Sequence, residues 1–214
     1  MNWVSTAKWV SWNALLAIIP VVTGYAIRAV HKSKITTALR HSVSTVLAAV
    51  WFVFLPNTCY LLTEWRHFLM TVDGRNLFLR ARVDSSYMIE LLFLSLFYFL
   101  YSSFGMLMFA LAIRPLSRAV VKDRVAIRLW AIPFFSAVSL GVYLGLILRF
   151  NSWDLLTRPG MVWNATIELT SRPLLSAFIV GFGMFLWLSY ELLDIWIDGF
   201  QSRFANLNQG DQEN

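Results

Sequence analysis

Apolar residues run along this chain in five long blocks, each closed by a short polar stretch. A bilayer core about 30 Å thick needs roughly 20 helical residues to cross it, and each block reaches that length. The pattern predicts spans over residues 9–29, 43–63, 87–113, 127–148 and 173–195. Pro20 marks a kink in the first and Pro56 an interruption near the end of the second. The third is long enough to tilt or to pass the interface. In the fourth, Ala137, Gly141 and Gly145 recur every four residues, a spacing that lets another helix backbone approach closely. The expected fold is all-α: an integral membrane bundle of about five helices forming one domain over residues 1–200. Residues 201–214 read as a polar, frayed tail.

Composition agrees with the pattern. Charged residues make up 14% of the chain, against about 25% in an ordinary soluble domain, so water is a poor solvent for most of this surface. Lys8 ahead of the first apolar block would suit a cleavable leader, but no small-x-small cleavage site follows, and a retained span is expected. The net charge of +6 does not point to nucleic acid. Its basic residues sit in short connections, as topology determinants and anionic-lipid contacts do, and no nucleic-acid recognition motif accompanies them. The single cysteine, Cys59, excludes an intrachain disulfide and a multi-cysteine metal site.

Lys and Arg number ten in one set of alternate connections and eight in the other. The bias puts the N-terminus outside and the C-terminus in the cytoplasm, which places the ends of spans two and four on the outer face. The expected location is the cell's inner (plasma) membrane.

Candidate chemistry gathers on that face. The second span closes in LPNTCYLLTEWRH, residues 55–67. At 100° per residue, Asn57, Tyr60, Glu64 and His67 fall within about 80° of one another, while Arg66 points to the opposite side. A carboxylate three residues before a histidine can share one proton or bind one metal from a single helix face. A solvated interfacial helix end is the simpler account of the same residues. In LRFNSWD, residues 148–154, Arg149 suits bidentate pairing with a carboxylate or phosphate, and Asn151, Ser152 and Asp154 offer caps or ligands. Asp84 is placed to cap the third span or to join Glu64 and His67 around a divalent metal. Glu191, Asp194 and Asp198 share one face of the fifth span and read as a solvated helix end. The chain carries no Gly-rich phosphate loop, nucleophile elbow or paired-histidine zinc motif.

LPNTCYLLTEWRH, Asp84 and GVYLGLILRFNSWD together resemble the signature segments of a bacterial family of multispanning membrane proteins, domain of unknown function number thirteen-sixty-one. Its typical forms are LPNxxYxxTDxxH and GxYLGRxxRxNSWD, and the likeness covers most of the chain. Glu64 stands where the family usually has Asp, and Leu146 where it often has Arg. The resemblance implies that Asn57, Tyr60, Glu64, His67, Asp84, Arg149, Asn151 and Asp154 form one shared pattern. It implies no activity.

Three readings remain open at this point. In the first, the chain acts on a lipid or lipid-linked substrate at the outer leaflet. Glu64, His67, Asp84 and Asp154 then do the chemistry, and Asn57, Tyr60, Arg149 and Asn151 hold the substrate. In the second, the polar layer is a structural network in a non-catalytic subunit or assembly factor with a membrane-protein partner. In the third, which ranks lower, the chain is an ion-coupled carrier with Glu64, His67 and Glu90 as a proton or cation relay. The readings differ on whether the polar groups leave a cavity or close upon one another.

Overall fold

The computed structural model describes residues 3–119, 124–150, 152 and 154–210, and every element in them is a helix. Five long helices, α1 (Trp3–Lys32), α2 (Thr37–Thr63), α5 (Ser85–Ala119), α6 (Arg124–Leu146) and α9 (Pro173–Gly210), form the bundle. Four short ones lie in the connections: α3 (Trp65–Gly74), α4 (Leu77–Ala81), α7 (Asp154–Thr157) and α8 (Pro159–Thr170). Four of the long helices contain segments long and apolar enough to cross a membrane, and Trp130–Leu146 of α6 is a shorter apolar one. The chain is therefore an all-α, multi-pass membrane protein. Residues 201–210 continue α9 rather than standing apart from it.

Helices are the economical solution here because each satisfies its own backbone in a solvent that offers no hydrogen bonds. The outward faces are apolar: Leu92, Phe93, Phe99, Leu188 and Ile195 are all more than half exposed. Such a surface is costly in water and costs nothing among lipid chains. The same solvent removes the hydrophobic drive between helices, so close packing and interhelical hydrogen bonds must hold the bundle together.

Both are present. A Cβ added to Gly24 would lie 2.7 Å from the Ala112 carbonyl oxygen, so α1 and α5 touch backbone to backbone. Gly105 sets α5 against Thr58 and Leu61 of α2, and Gly141 sets α6 against Pro56. The small-residue spacing expected in the fourth span thus receives α2, with the proline ring lying in the space a side chain would take. Across these seams, Trp51 Nε1 donates to the Ala112 carbonyl at 2.9 Å, and Ser102 Oγ donates to the Leu61 carbonyl at 3.2 Å. Leu55, Leu61, Phe109, Val138 and Leu186 are fully buried between the helices.

The acidic positions of α9 are not simply solvated. Arg114, with a side chain only 7% exposed, pairs with Asp194 and Asp198, and Arg118 pairs with the same two carboxylates. Gln201 accepts a further bond from Arg114, and Ser117 bonds the Tyr190 hydroxyl at 2.7 Å. This network fastens α5 to α9 at the ends where both helices finish. The remaining candidates lie at the opposite end, where α2 and α6 finish and α1, α5 and α9 begin.

The tightest approach lies at that end, where a Cβ on Gly145 would sit 1.6 Å from the Tyr60 hydroxyl. Gly145→Ala must therefore displace the Tyr60 ring, at the loss of its bond to the Gly141 carbonyl, or part α2 from α6, a cost of about 1–3 kcal/mol. Thermal unfolding in detergent should show the loss, and Gly74→Ala, where no atom lies within 4 Å, should not.

Candidate functional site

α2 and α3 form nearly one helix, bent at Glu64. The His67 amide bonds the Glu64 carbonyl at 2.8 Å, a tighter turn than the α-helix on either side. Asn57, Tyr60, Glu64 and His67 all line a single cavity of about 450 Å³ that opens beside this bend. Its opposite wall comes from the end of α6 and the following turn, with Gly145, Arg149 and Ser152. Trp9, Trp12 and Asn13 of α1 complete it.

The floor is tied down by hydrogen bonds. Tyr60 Oη donates to the Gly141 carbonyl at 3.0 Å, which fixes the ring against α6. Asn57 Nδ2 donates to Ser152 Oγ at 3.0 Å and to the Phe54 carbonyl at 3.1 Å, joining α2 to the turn after α6. Glu64 is different. Its side chain is 12% exposed, its Oε2 lies 3.5 Å from His67 Nε2, and that oxygen has no hydrogen-bond partner among the described residues. His67 is half exposed and packs edge-on against Trp9, with ring centres 5.4 Å apart. A buried carboxylate oxygen left unbonded costs about 1–3 kcal/mol or more, and His67 at 3.5 Å is its near partner.

Two guanidiniums line the same cavity. A straight helix puts Arg66 on the far side, yet it lines the cavity, two residues past the tighter turn at Glu64 where α3 begins. Arg149 closes α6 with a left-handed backbone, φ 57°. The Phe150 amide reaches back 3.1 Å to the Leu144 carbonyl and satisfies one of the free groups at that helix end. Glycine is the usual residue in such a conformation. An arginine there costs roughly 1–2 kcal/mol and persists only where its surroundings hold it. Neither Arg66 nor Arg149 forms an ion pair with a described residue.

The other expected residues lie elsewhere. Asp84 is exposed and accepts the Ser86 amide at 2.8 Å, so it caps α5 and does not line the cavity. Glu90 pairs with Arg75, again outside it. Asp154 is buried at the start of α7, where Thr157 Oγ1 donates to it at 3.4 Å, and it too is absent from the lining. Asn151 falls outside the described residues. The three-residue metal set of Glu64, His67 and Asp84 is therefore not assembled. Among the described residues no three His, Cys, Asp or Glu side chains come together. Glu64 and His67 could supply two ligands, but two guanidiniums on the same walls favour an anion over a cation.

Trp12, Asn13 and Arg66 were missed from sequence. Arg66 was hidden by the bend, and α1 reaches the cavity only through a helix–helix contact, which periodicity along one helix does not encode. The amphipathic helix α3 was legible in principle. Trp65, Phe68 and Val72 recur at helical spacing, and the first two rings pack on Tyr98.

These features define a multi-pass membrane protein with a polar cavity at one end of its bundle. Residues 12–189 match the family model described as "Protein of unknown function (DUF1361)", and the chain belongs to that family. No curated protein and no solved structure matches the chain.

Replacing Arg149 with glycine removes the backbone strain together with the charge. Arg149→Gly is expected to hold or raise the melting temperature in detergent while weakening any anion bound in the cavity. A fall in melting temperature would mean that the arginine is there to hold the fold.

Proposed function

We propose that the cavity binds the anionic head group of a membrane lipid or lipid-linked substrate. One observation carries the reading. Arg66 and Arg149 line a chamber of about 450 Å³ that also holds Glu64, and neither forms an ion pair with a described residue. Uncompensated guanidiniums at a membrane interface attract anions, and their planar donors match phosphate and carboxylate bidentately. The volume falls in the range of about 300–1,000 Å³ common to small-molecule sites. A purely structural polar network would close upon itself, whereas this one lines an open chamber.

Within this reading Glu64 and His67 form a proton-transfer pair facing the head group. His67 is the solvent-facing partner and Glu64 the buried one. Asn57 and Tyr60 hold the floor that positions both. Such a pair serves equally to accept a proton from a bound hydroxyl or to donate a hydrogen bond to a phosphoryl oxygen. Asp84 and Asp154 then support the helix starts around the site. The cavity is placed on the outer face of the inner membrane, as the basic-residue bias suggests.

Two experiments test this. Native mass spectrometry of the detergent-purified protein is expected to show bound phosphatidylglycerol in preference to phosphatidylcholine. Arg66→Gln and Arg149→Gln should each weaken it about tenfold, the worth of one charge-assisted hydrogen bond. Unchanged lipid retention in both variants would sink the reading.

Orientation can be read from cysteine labelling, because the native Cys59 is buried. Val83, 90% exposed, lies on the cavity end, and exposed Lys34 lies on the opposite end. In intact spheroplasts a membrane-impermeant maleimide should label Val83→Cys, and should reach Lys34→Cys only after lysis. The reverse pattern would put the cavity on the cytoplasmic side.

A further inference from the structure

A second cavity of about 640 Å³ lies beyond Tyr60, between α2, α6 and α8. Its character is opposite to the first. Among the described residues no charged side chain lines it, and Phe52, Pro56, Leu140, Leu144, Val162 and Trp163 supply most of its walls. It exists because α8 packs on α7 and on the start of α9 but stands off from the α2–α6 pair.

The two cavities share a wall. Tyr60, Gly145, Phe150 and Ser152 line both. The hydroxyls in that wall are already engaged, Tyr60 with the Gly141 carbonyl and Ser152 with Asn57. They therefore mark the boundary between polar and apolar chambers without asking for partners of their own. Gly145 keeps this wall thin, since any side chain there would collide with Tyr60.

A compact anion would fill the first chamber and leave the second empty. A free hydrocarbon would fill the second and leave two guanidiniums and a carboxylate unanswered. We infer that the site takes one amphiphile, with its anionic head in the polar chamber and an apolar chain in the groove between α2, α6 and α8. The inference rests on the anion reading above and adds the occupant's second half. Charge complementarity fixes the head, and the shared wall at Tyr60 and Ser152 fixes where the head gives way to the chain.

Gly160 allows a clean test. It lines the groove, no atom lies within 4 Å of the position its Cβ would take, and its backbone is helical with negative φ. Gly160→Phe should thus fill the groove without unfolding the helix. Gly181→Phe, at an equally open glycine outside both cavities, controls for added bulk. Each full-length protein would be titrated in detergent with glycerol phosphate, dihexanoyl-phosphatidylglycerol and dipalmitoyl-phosphatidylglycerol, with adducts read by native mass spectrometry.

Wild type and Gly181→Phe are expected to prefer the long-chain lipid to the head group alone by at least about tenfold, the worth of roughly two buried methylenes. Gly160→Phe should lose that preference and still bind glycerol phosphate as wild type does. If Gly160→Phe keeps the full chain-length preference, while Arg149→Gln lowers glycerol phosphate binding, the groove assignment falls and the anion site stands. If Arg149→Gln leaves glycerol phosphate binding unchanged, the anion reading falls and takes the amphiphile with it.

Discussion

The contact between α2 and α6 at Tyr60 and Gly145 is the constraint on which the site depends. In lipid no hydrophobic force presses two helices together, so they stay close only where shape and hydrogen bonding hold them. Here the missing side chain of Gly145 admits the Tyr60 ring, and its hydroxyl reaches the Gly141 carbonyl. One turn earlier, Gly141 accommodates Pro56 in the same way. This seam sets where α2 and α6 end relative to each other. The bend at Glu64 and the left-handed turn at Arg149 therefore face one another across a cavity and do not scatter along the membrane surface.

The bundle has two polar ends of different kinds. Where α5 and α9 finish, Arg114 and Arg118 meet Asp194 and Asp198, cation against anion, with Gln201 completing the set. Charges that satisfy each other hold helices together and offer little to a ligand. At the other end Arg66 and Arg149 line a space with no ion-pair partner among the described residues, and Glu64 has only His67 at 3.5 Å. The contrast separates a fastening from a candidate site within one molecule, under one solvent.

Much of the fold was legible in the sequence, because crossing a bilayer demands a long apolar helix; four of the five apolar blocks meet that demand and the other gives a shorter apolar helix. The spacing of Ala137, Gly141 and Gly145 announced a close helix contact, but not that Pro56 and Tyr60 would fill it. The stripe of Asn57, Tyr60, Glu64 and His67 came from the same helical geometry, and all four line one cavity. That geometry fails where the helix bends. Arg66, which a straight helix puts on the far side, follows the tighter turn at Glu64 and also lines the cavity. Asp84 reads as either a cap or a ligand from its sequence position, and it acts as the cap. The pairing of Asp194 and Asp198 with Arg114 and Arg118 joins residues about eighty positions apart, and no local periodicity encodes such a match.

The shared space of Tyr60 and Gly145 also constrains how this protein can change over time. Neither position can drift alone. A bulkier residue at 145 is excluded while the tyrosine ring lies there, and a smaller residue at 60 opens a hole between two helices that nothing else fills. Across descendants of this chain the two sites should behave as one hereditary unit. They should exchange in pairs or not at all, and a lineage that breaks the pair will have rebuilt the boundary between its two chambers.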